Sequence, residues 1–225
     1  MKYNNIVKGT FISRPNRFIA KVNIEGEEHT VHVKNTGRCK ELLIYGATVF
    51  LQYSDNPVRK TRYDLIAVQK GDKLINMDSQ APNTVFYEWA VKNYPGAVIK
   101  REVTYKDSRY DCYIEYNGDR IFTEVKGVTL EDDGYTRFPD APTERGLKHI
   151  YGLTDAINNG YKGQIFFVIQ MKDAHTFSPN YDTQPRFAQA LKDAHRAGVK
   201  IMAYNCIVTE DSLEIYQPVK IELEK

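Results

Sequence analysis

The stretch RYDCYIEYNGDRIFTEVK, residues 109–126, determines more of the fold than any other part of the chain. It contains two runs rich in β-branched and aromatic residues, separated by Asn117-Gly118. Asn-Gly between such runs predicts a two-residue type I′ hairpin, because both turn positions need positive φ. A two-residue turn also sets the register of the two strands, and this register places Tyr113 opposite Phe122.

The same register brings two carboxylates together. Asp111 is predicted to face Glu124, with Cβ atoms about 4.5–5.5 Å apart. Two carboxylates at that distance repel by about 3 kcal/mol at an effective dielectric constant near 20. A cation would remove this cost, either Lys126 on the same strand face or a divalent ion such as Mg²⁺, which takes few protein ligands and keeps several waters. The alternative is an exposed face with solvated charges, which suits Glu115 opposite Arg120.

Outside the hairpin, the sequence pattern changes near residue 80. Up to Met77, six short alternating segments with close turns predict strands of a small β-barrel or sandwich. Residues 78–83 are the predicted linker. The remaining order of helix, three strands, helix, strand, helix, strand predicts a mixed α/β sheet with helices on its faces. We therefore assign residues 1–80 to an all-β domain and residues 81–225 to an α/β domain.

Helix signals in the second domain are clear. Asn83 and Thr143 are candidate N-caps, and a glycine follows two of the three segments. The acidic run Glu131-Asp132-Asp133 predicts a mobile loop over the site. The predicted helices are Thr84–Tyr94, Thr143–Asn158 and Gln184–Ala197.

Composition excludes several classes of protein. The 225 residues are 42% hydrophobic and 27% charged, which is ordinary for a globular chain and excludes wholesale disorder. The longest apolar run, Ile165–Ile169, is far shorter than the ~18 residues of a membrane span, so we expect no membrane partner. Met1–Asn5 lacks the apolar stretch of a signal peptide. The three cysteines are widely spaced, which predicts free thiols and a cytoplasmic protein.

Charge is distributed unevenly between the two predicted domains. Basic residues outnumber acidic ones in residues 1–80, and the reverse holds in residues 81–225. This asymmetry fits a polyanion-binding domain beside a carboxylate site, or a chance fluctuation. Single-strand-binding barrels combine cations for phosphates with rings for stacking bases. The candidate nucleic-acid-binding residues of the barrel are Arg14, Arg17, Phe18, Arg38 and Arg62. On the second helix, Arg145 and Lys148 either face a phosphate or belong to an amphipathic surface.

Asp on one strand followed by Glu-x-Lys on the next resembles the PD-(D/E)XK nuclease signature. Its elements here are Tyr110-Asp111 and Glu124-Val125-Lys126, with Tyr110 where the signature has proline. Four longer segments resemble the sugar fermentation stimulation protein family of prokaryotes, and the length and spacing also fit. This resemblance covers essentially the whole chain. It implies an N-terminal OB-like barrel, a C-terminal restriction-endonuclease-like α/β domain and DNA binding. The segments are Asn35–Arg38, Ser108–Asp111, Thr123–Leu130 and Phe138–Gly146.

The nuclease resemblance implies roles for particular residues. Asp111, Glu124 and Lys126 would be catalytic, and the two carboxylates would hold Mg²⁺ or Mn²⁺ with help from the main-chain carbonyl of Val125. Lys126 would position the attacking water or help to deprotonate it. Glu88, in the first helix, resembles the helix carboxylate that some members of the nuclease superfamily add to the metal site; the alternative is a solvated helix residue.

The sequence thus predicts a nucleic-acid-binding protein with metal-dependent phosphodiesterase activity. DNA is the expected substrate, and RNA remains open. A second hypothesis is a non-catalytic DNA-binding regulator of sugar metabolism that retains a nuclease-like fold. The presence of all three catalytic residue types favours the enzyme. A double-strand cutter would need two active sites, which makes a homodimer a further expectation.

Overall fold

The computed structural model describes residues 1–35 and 37–224. Thr36, which belongs to one segment of the family resemblance, and Lys225, at the end of the predicted second domain, lie outside the described residues. The first part of the chain forms six strands. They are β1 (Ile6–Ser13), β2 (Ile19–Ile24), β3 (Glu27–Val33), β4 (Thr48–Tyr53), β5 (Tyr63–Lys70) and β6 (Lys73–Asn76).

The first five strands close into a barrel. Their order is β3-β2-β1-β4-β5, and a parallel pairing of His32 and Val33 with Asp64 and Leu65 joins β3 to β5. Alternating apolar residues make this possible: on β2 every second side chain is buried in the core. Closure removes the free edges that an open sheet would expose. The predicted small barrel is confirmed.

A mixed α/β domain follows, with elements close to those predicted. Its helices are α1 (Ala81–Asn93), α2 (Glu144–Asn158) and α3 (Pro185–Arg196). Its strands are β7 (Val98–Tyr105), β8 (Ser108–Tyr116), β9 (Asp119–Val128), β10 (Leu130–Asp132), β11 (Tyr135–Phe138), β12 (Lys162–Ile169), β13 (Thr176–Pro179), β14 (Lys200–Thr209), β15 (Ser212–Pro218) and β16 (Lys220–Ile221).

The main sheet has the order β15-β14-β12-β9-β8-β7, in which β9, β12 and β14 run parallel. Helix α1 packs on one face, where Phe86 joins Cys112 and Phe166 in one apolar cluster. Helices α2 and α3 cover the other face, where Leu147 packs in the cluster that contains Phe122. Helices on both faces bury the sheet, as the order of elements predicts.

A small second sheet was not predicted. It joins β10, β11, β13 and β16, whose two to four residues are too short for a periodic pattern. Within it, the buried Glu131 carboxylate forms ion pairs with Lys70 and Lys73 of the first domain. The prediction of a mobile acidic loop is therefore wrong for Glu131, because a lysine pair from the other domain holds its carboxylate inside the fold.

The two domains share an extensive interface. The Gln170 side-chain amide of the α/β domain donates to Asn76 and to the Asp78 carbonyl at 2.8 and 3.0 Å, and Asp78, in the predicted linker, pairs with Lys34 of the barrel at 2.7 Å. Apolar residues of both domains belong to one cluster. The chain start also crosses over, because the Tyr3 amide donates to the Asp211 carbonyl at 2.7 Å. The barrel is thus held firmly against the α/β domain.

Within the described part of the chain, no helix is long and apolar enough to cross a membrane.

Candidate active site

The hairpin of β8 and β9 has the predicted register. Asn117 and Gly118 form its turn with φ of 51° and 84°. Tyr113 faces Phe122, and their rings lie 4.9 Å apart. The last pair of this ladder is Cys112 opposite Thr123. Asp111 and Glu124 are the next residues on β8 and β9, one position beyond that pair.

Asp111 makes two hydrogen bonds that hold its carboxylate in place. Its Oδ2 accepts from the main-chain amide of Val125 at 2.8 Å, and its Oδ1 accepts from the side-chain amide of Asn83 at 2.8 Å. In a regular antiparallel pair the Val125 amide would donate to a main-chain carbonyl of β8. Here it donates to the Asp111 carboxylate instead. Burial, followed by the charge of Glu124, raises the pKa of Asp111 above its usual range. The two carboxylates are therefore close enough to repel each other.

Asn83 corrects one sequence-based prediction. It was expected to cap a helix starting at Thr84, but α1 begins at Ala81 with Gln80 at the N-cap position and no side-chain capping bond. Pro82 occupies the first turn of the helix, where its missing N–H costs nothing. Asn83 lies inside the helix, and its amide is free to bind Asp111.

Glu124 is the most buried carboxylate of the site, with 3% of the residue exposed. Its Oε1 is bound by both the Lys126 ammonium and the His149 Nδ1. Burial raises the pKa of Glu124, but the His149 hydrogen bond and the Lys126 charge outweigh it and hold the pKa below its usual range. The solvated-face alternative is wrong for Glu124, although Glu115 and Arg120 of the same hairpin are exposed.

His149 was not predicted as a site residue. It lies on the buried side of α2, three residues after Gly146, and only 4% of the residue is exposed. A histidine within the apolar stripe of an amphipathic helix was the available signal, but nothing in the sequence indicated which strand it would face. The α2 N-cap was predicted correctly, since Thr143 Oγ1 accepts from the Gly146 amide at 2.9 Å.

The second oxygen of Glu124 indicates room for a cation. Oε2 is buried and has no hydrogen-bond partner among the described residues. A buried carboxylate oxygen without a partner is costly, and a metal ion would satisfy it. Hard divalent ions take oxygen ligands, and Mg²⁺ is often held by one or two carboxylates with water completing the shell. Asp111 and Glu124 fit that requirement.

Glu88 is not brought to this pair. Its carboxylate accepts from the Met1 ammonium at 2.8 Å, and its side chain is 45% exposed. Residues 1–35 and 37–224 contain no group of three His, Cys, Asp or Glu side chains arranged to hold a metal. The candidate metal site therefore has two carboxylates, Asp111 and Glu124. The predicted third, Glu88 of α1, is paired with the Met1 ammonium instead.

Arg14 serves the fold of the barrel. Its guanidinium donates to four main-chain carbonyls at 2.6–2.9 Å, so its N–H groups are largely used. It orders the loop after β3 by binding it to the turn after β1. The four acceptors are the carbonyl oxygens of Arg17, Asn35, Gly37 and Arg38.

Three of the predicted nucleic-acid-binding residues surround one pocket. Arg14, Arg17 and Arg38 line a pocket of about 430 Å³ on the side of the barrel that faces the α/β domain. Phe18 follows Arg17 directly and is 55% exposed.

The other four predicted residues, Phe18 among them, lie outside this pocket lining. Arg62 donates to the Tyr53 hydroxyl at 3.2 Å, and Lys148 donates to the Asp107 carbonyl at 2.7 Å. Arg145 is exposed in the first turn of α2. The structure therefore brings together only part of the predicted binding set.

Comparison with known proteins extends the sequence resemblance. Residues 80–212 match the sugar fermentation stimulation protein RE domain, and residues 12–77 match the SfsA N-terminal OB domain. A sugar fermentation stimulation protein homolog of Desulfitobacterium hafniense (strain Y51) is 57% identical over 225 residues, covering 99% of each chain. A homolog of Clostridium beijerinckii is 55% identical over 226 residues, covering 99% of this chain and all of the relative.

A solved structure of Pyrococcus furiosus SfsA, in complex with Ca²⁺, has the same architecture. It aligns with a TM-score of 0.88 at 27% identity, over 99% of this chain and 98% of that one. The expected fold class, an OB barrel followed by a mixed-sheet α/β domain, is confirmed. With both domains matched and relatives more than half identical along the full length, this chain belongs to the sugar fermentation stimulation protein family.

Proposed function

We propose that this protein binds nucleic acid, with DNA as the first substrate to test, and hydrolyses phosphodiester bonds with a divalent metal ion at Asp111 and Glu124. The observation that carries the proposal is Oε2 of Glu124, which is buried beside a second carboxylate and has no hydrogen-bond partner among the residues that the structure describes. A fold alone does not imply an activity, so the argument depends on this site. Family membership and the OB domain support the nucleic-acid partner.

Metal binding is supported by the choice of ligands. Asp111 and Glu124 supply carboxylate oxygens, and the carbonyl of Val125 is a third candidate donor. The solved structure of the Pyrococcus furiosus relative contains Ca²⁺, an oxygen-binding ion. We propose Mg²⁺, or Mn²⁺, as the working ion here. When bound, such an ion supplies a water of lowered pKa and neutralises charge on the phosphate.

The protein groups around the site have separate roles in this proposal. Asn83 and the Val125 amide hold Asp111, so its carboxylate stays oriented while substrate binds. Lys126 is 18% exposed at its side chain and can donate to a phosphate oxygen as charge develops there. His149 keeps Glu124 ionised by donating to Oε1. Each of these contacts exists before substrate arrives, which reduces the reorganisation needed for reaction.

The test is cleavage of labelled single-stranded and duplex DNA and RNA with Mg²⁺, Mn²⁺ or EDTA. Wild type is compared with Glu124→Gln, which keeps the side-chain size and removes the charge. Glu115→Gln is the matched control, because Glu115 is an exposed glutamate on the same hairpin. We expect metal-dependent cleavage in wild type and control and a loss of at least about 100-fold in Glu124→Gln. Cleavage that survives in Glu124→Gln would refute the proposed site.

A second candidate function is non-catalytic DNA binding, with a regulatory role in sugar metabolism. One observation favours it: Lys126 and His149 already bind Oε1 of Glu124 without a metal. In that case wild type and Glu124→Gln would bind DNA equally, with and without Mg²⁺, and neither would cut it. Light scattering of the same samples measures the oligomeric state; a homodimer would accompany duplex cleavage, since cutting both strands at once takes two sites.

A further inference from the structure

A pocket lies where the barrel meets the segment that leads into α2. Its volume is about 430 Å³. Ala141 and Pro142 of the α/β domain form one side, and the barrel forms the other. The described residues that line it include four cations and no carboxylate: Arg14, Arg17, Arg38 and Lys40. Such a concentration of one charge sign attracts anions into the pocket.

Three of the four cations have no partner in residues 1–35 and 37–224. Arg14 donates to main-chain carbonyls, as described above. The side chains of Arg17, Arg38 and Lys40 are exposed and make no hydrogen bond or ion pair with the described residues. Most exposed lysines and arginines gain little from a single pair, but like charges gathered at one pocket repel. An anion bound between them would relieve that repulsion.

The location and charge of the pocket favour a phosphate at the end of a chain. Pockets of roughly 300–1,000 Å³ hold drug-sized ligands, so this one has room for a phosphate and part of the nucleotide that carries it. A phosphodiester within a strand carries one charge and has a nucleotide on each side, both of which a recess between two domains would have to admit. A phosphate monoester carries up to two charges and stands at the end of a chain. The pocket therefore matches a terminal phosphate better than an internal one.

A second cleft adjoins this pocket on the side of β9. Gly37 lines both the cationic pocket and a neighbouring cleft of about 160 Å³. Gly127 and Val128, the residues of β9 that directly follow Lys126, line that cleft as well. A Cβ at position 37 would collide with the Asp140 carboxylate and with Asn35 Oδ1, so glycine lets Asp140, which also lines the second cleft, pack at this junction.

We propose that the cationic pocket binds the terminal phosphate monoester of a nucleic-acid strand. One consequence of this inference rests on the proposed nuclease function: the enzyme should prefer to cleave substrates with a phosphorylated end. Arg17, Arg38 and Lys40 are the residues that read the terminal phosphate. Phe18, exposed next to Arg17, is placed to stack on a base near that end.

The test measures binding in EDTA, where the metal-dependent reaction is absent. Fluorescence anisotropy compares single-stranded oligonucleotides of one sequence with a 5′-phosphate, a 3′-phosphate or hydroxyls at both ends, and a circular form. We expect one of the two phosphorylated oligonucleotides to bind at least about fivefold more tightly than the hydroxyl form. One close charge pair in water supplies the free energy for a difference of that size. The double variant Arg38→Gln/Lys40→Gln should lose this preference.

The matched control is Lys8→Gln, which removes an exposed lysine from β1 of the same barrel. It should weaken all oligonucleotides alike and keep the end preference. Equal affinity for phosphorylated, hydroxyl and circular strands would overturn the inference. So would free AMP binding as tightly as the phosphorylated strand, because the pocket would then be a mononucleotide site. Because binding is measured without metal, an end preference without cleavage would overturn only the nuclease proposal, and cleavage without end preference only this one.

Discussion

Removal of the Glu131 charge should weaken the attachment of the barrel to the α/β domain. Glu131 lies on β10 with its side chain 2% exposed, and it is paired with Lys70 at 2.9 Å and with Lys73. Its Oε1 also accepts from the Gly134 amide at 2.7 Å. The substitution Glu131→Gln keeps the size and an oxygen acceptor for that amide. It removes the charge that both lysines of the barrel contact.

The size of the effect follows from the pKa of Glu131. Burial raises that pKa, but the hydrogen bonds from Lys73 and Gly134 and the Lys70 contact outweigh it and lower the pKa from 4.5 to about 2. Such a difference corresponds to ~3 kcal/mol of stability at neutral pH. The side chains of Lys70 and Lys73 are 33% and 24% exposed, so water screens part of the interaction. We expect Glu131→Gln to lower the free energy of unfolding by about 1–2 kcal/mol.

The pH dependence has a definite sign. A carboxyl with a lowered folded-state pKa contributes its full stability above the unfolded value of 4.5. That contribution declines as pH falls from 4.5 towards 2, and more than half of it is lost by about pH 3. The stability difference between wild type and Glu131→Gln should therefore be constant from pH 6 to 8 and shrink below pH 4.5.

Urea denaturation of both proteins at pH 7, 5, 4 and 3.5 measures this difference. Asp132→Asn is the matched control, because Asp132 is the exposed neighbour of Glu131 on the same strand. It should leave the free energy of unfolding within about 0.5 kcal/mol of wild type. Equal stability of wild type and Glu131→Gln at pH 7 would show that the lysine pair does not stabilise the interface. A difference that persists undiminished at pH 3.5 would refute the electrostatic explanation.

Three further predictions test other contacts. Asn83→Ala should raise the Mg²⁺ concentration for half-maximal cleavage by about 10-fold, because Asp111 loses an orienting donor; an unchanged metal titration would contradict this. Phe18→Ala should weaken single-stranded DNA binding in anisotropy by about 1–3 kcal/mol with the melting temperature unchanged, and unaltered affinity would exclude stacking. Thr143→Ala should lower the free energy of unfolding by about 1 kcal/mol, as its hydroxyl caps α2; Thr143→Ser, which keeps that hydroxyl, should recover most of it.

Local rules account for what could be predicted from the sequence. The hairpin register follows from Asn117-Gly118 alone, because a two-residue turn leaves no freedom in the pairing. The barrel strands follow from their alternating apolar residues and turn residues, α2 follows from its apolar stripe, and the ends of α1 and α3 follow from the glycines after them. The short strands β10, β11, β13 and β16 have too few residues for either signal, and their pairing depends on distant partners.

The candidate site was predictable only in part. Asp111, Glu124 and Lys126 could be identified because they lie on one hairpin. The partners that tune them, Asn83 and His149, come from helices on opposite faces of the sheet. Their identity depends on how each helix rotates and docks, which no local pattern specifies.

By itself, the sequence determined the two-domain order, the hairpin and its acidic residues, because these depend on neighbours within a few residues along the chain. Only the tertiary structure decided that Glu131 joins the domains, that Glu88 binds the chain start, and that Arg17 and Arg38 line a pocket against the second domain. These roles depend on burial and on charges brought close from distant positions. Coulomb energies change steeply with distance and exposure, and both are properties of the folded chain.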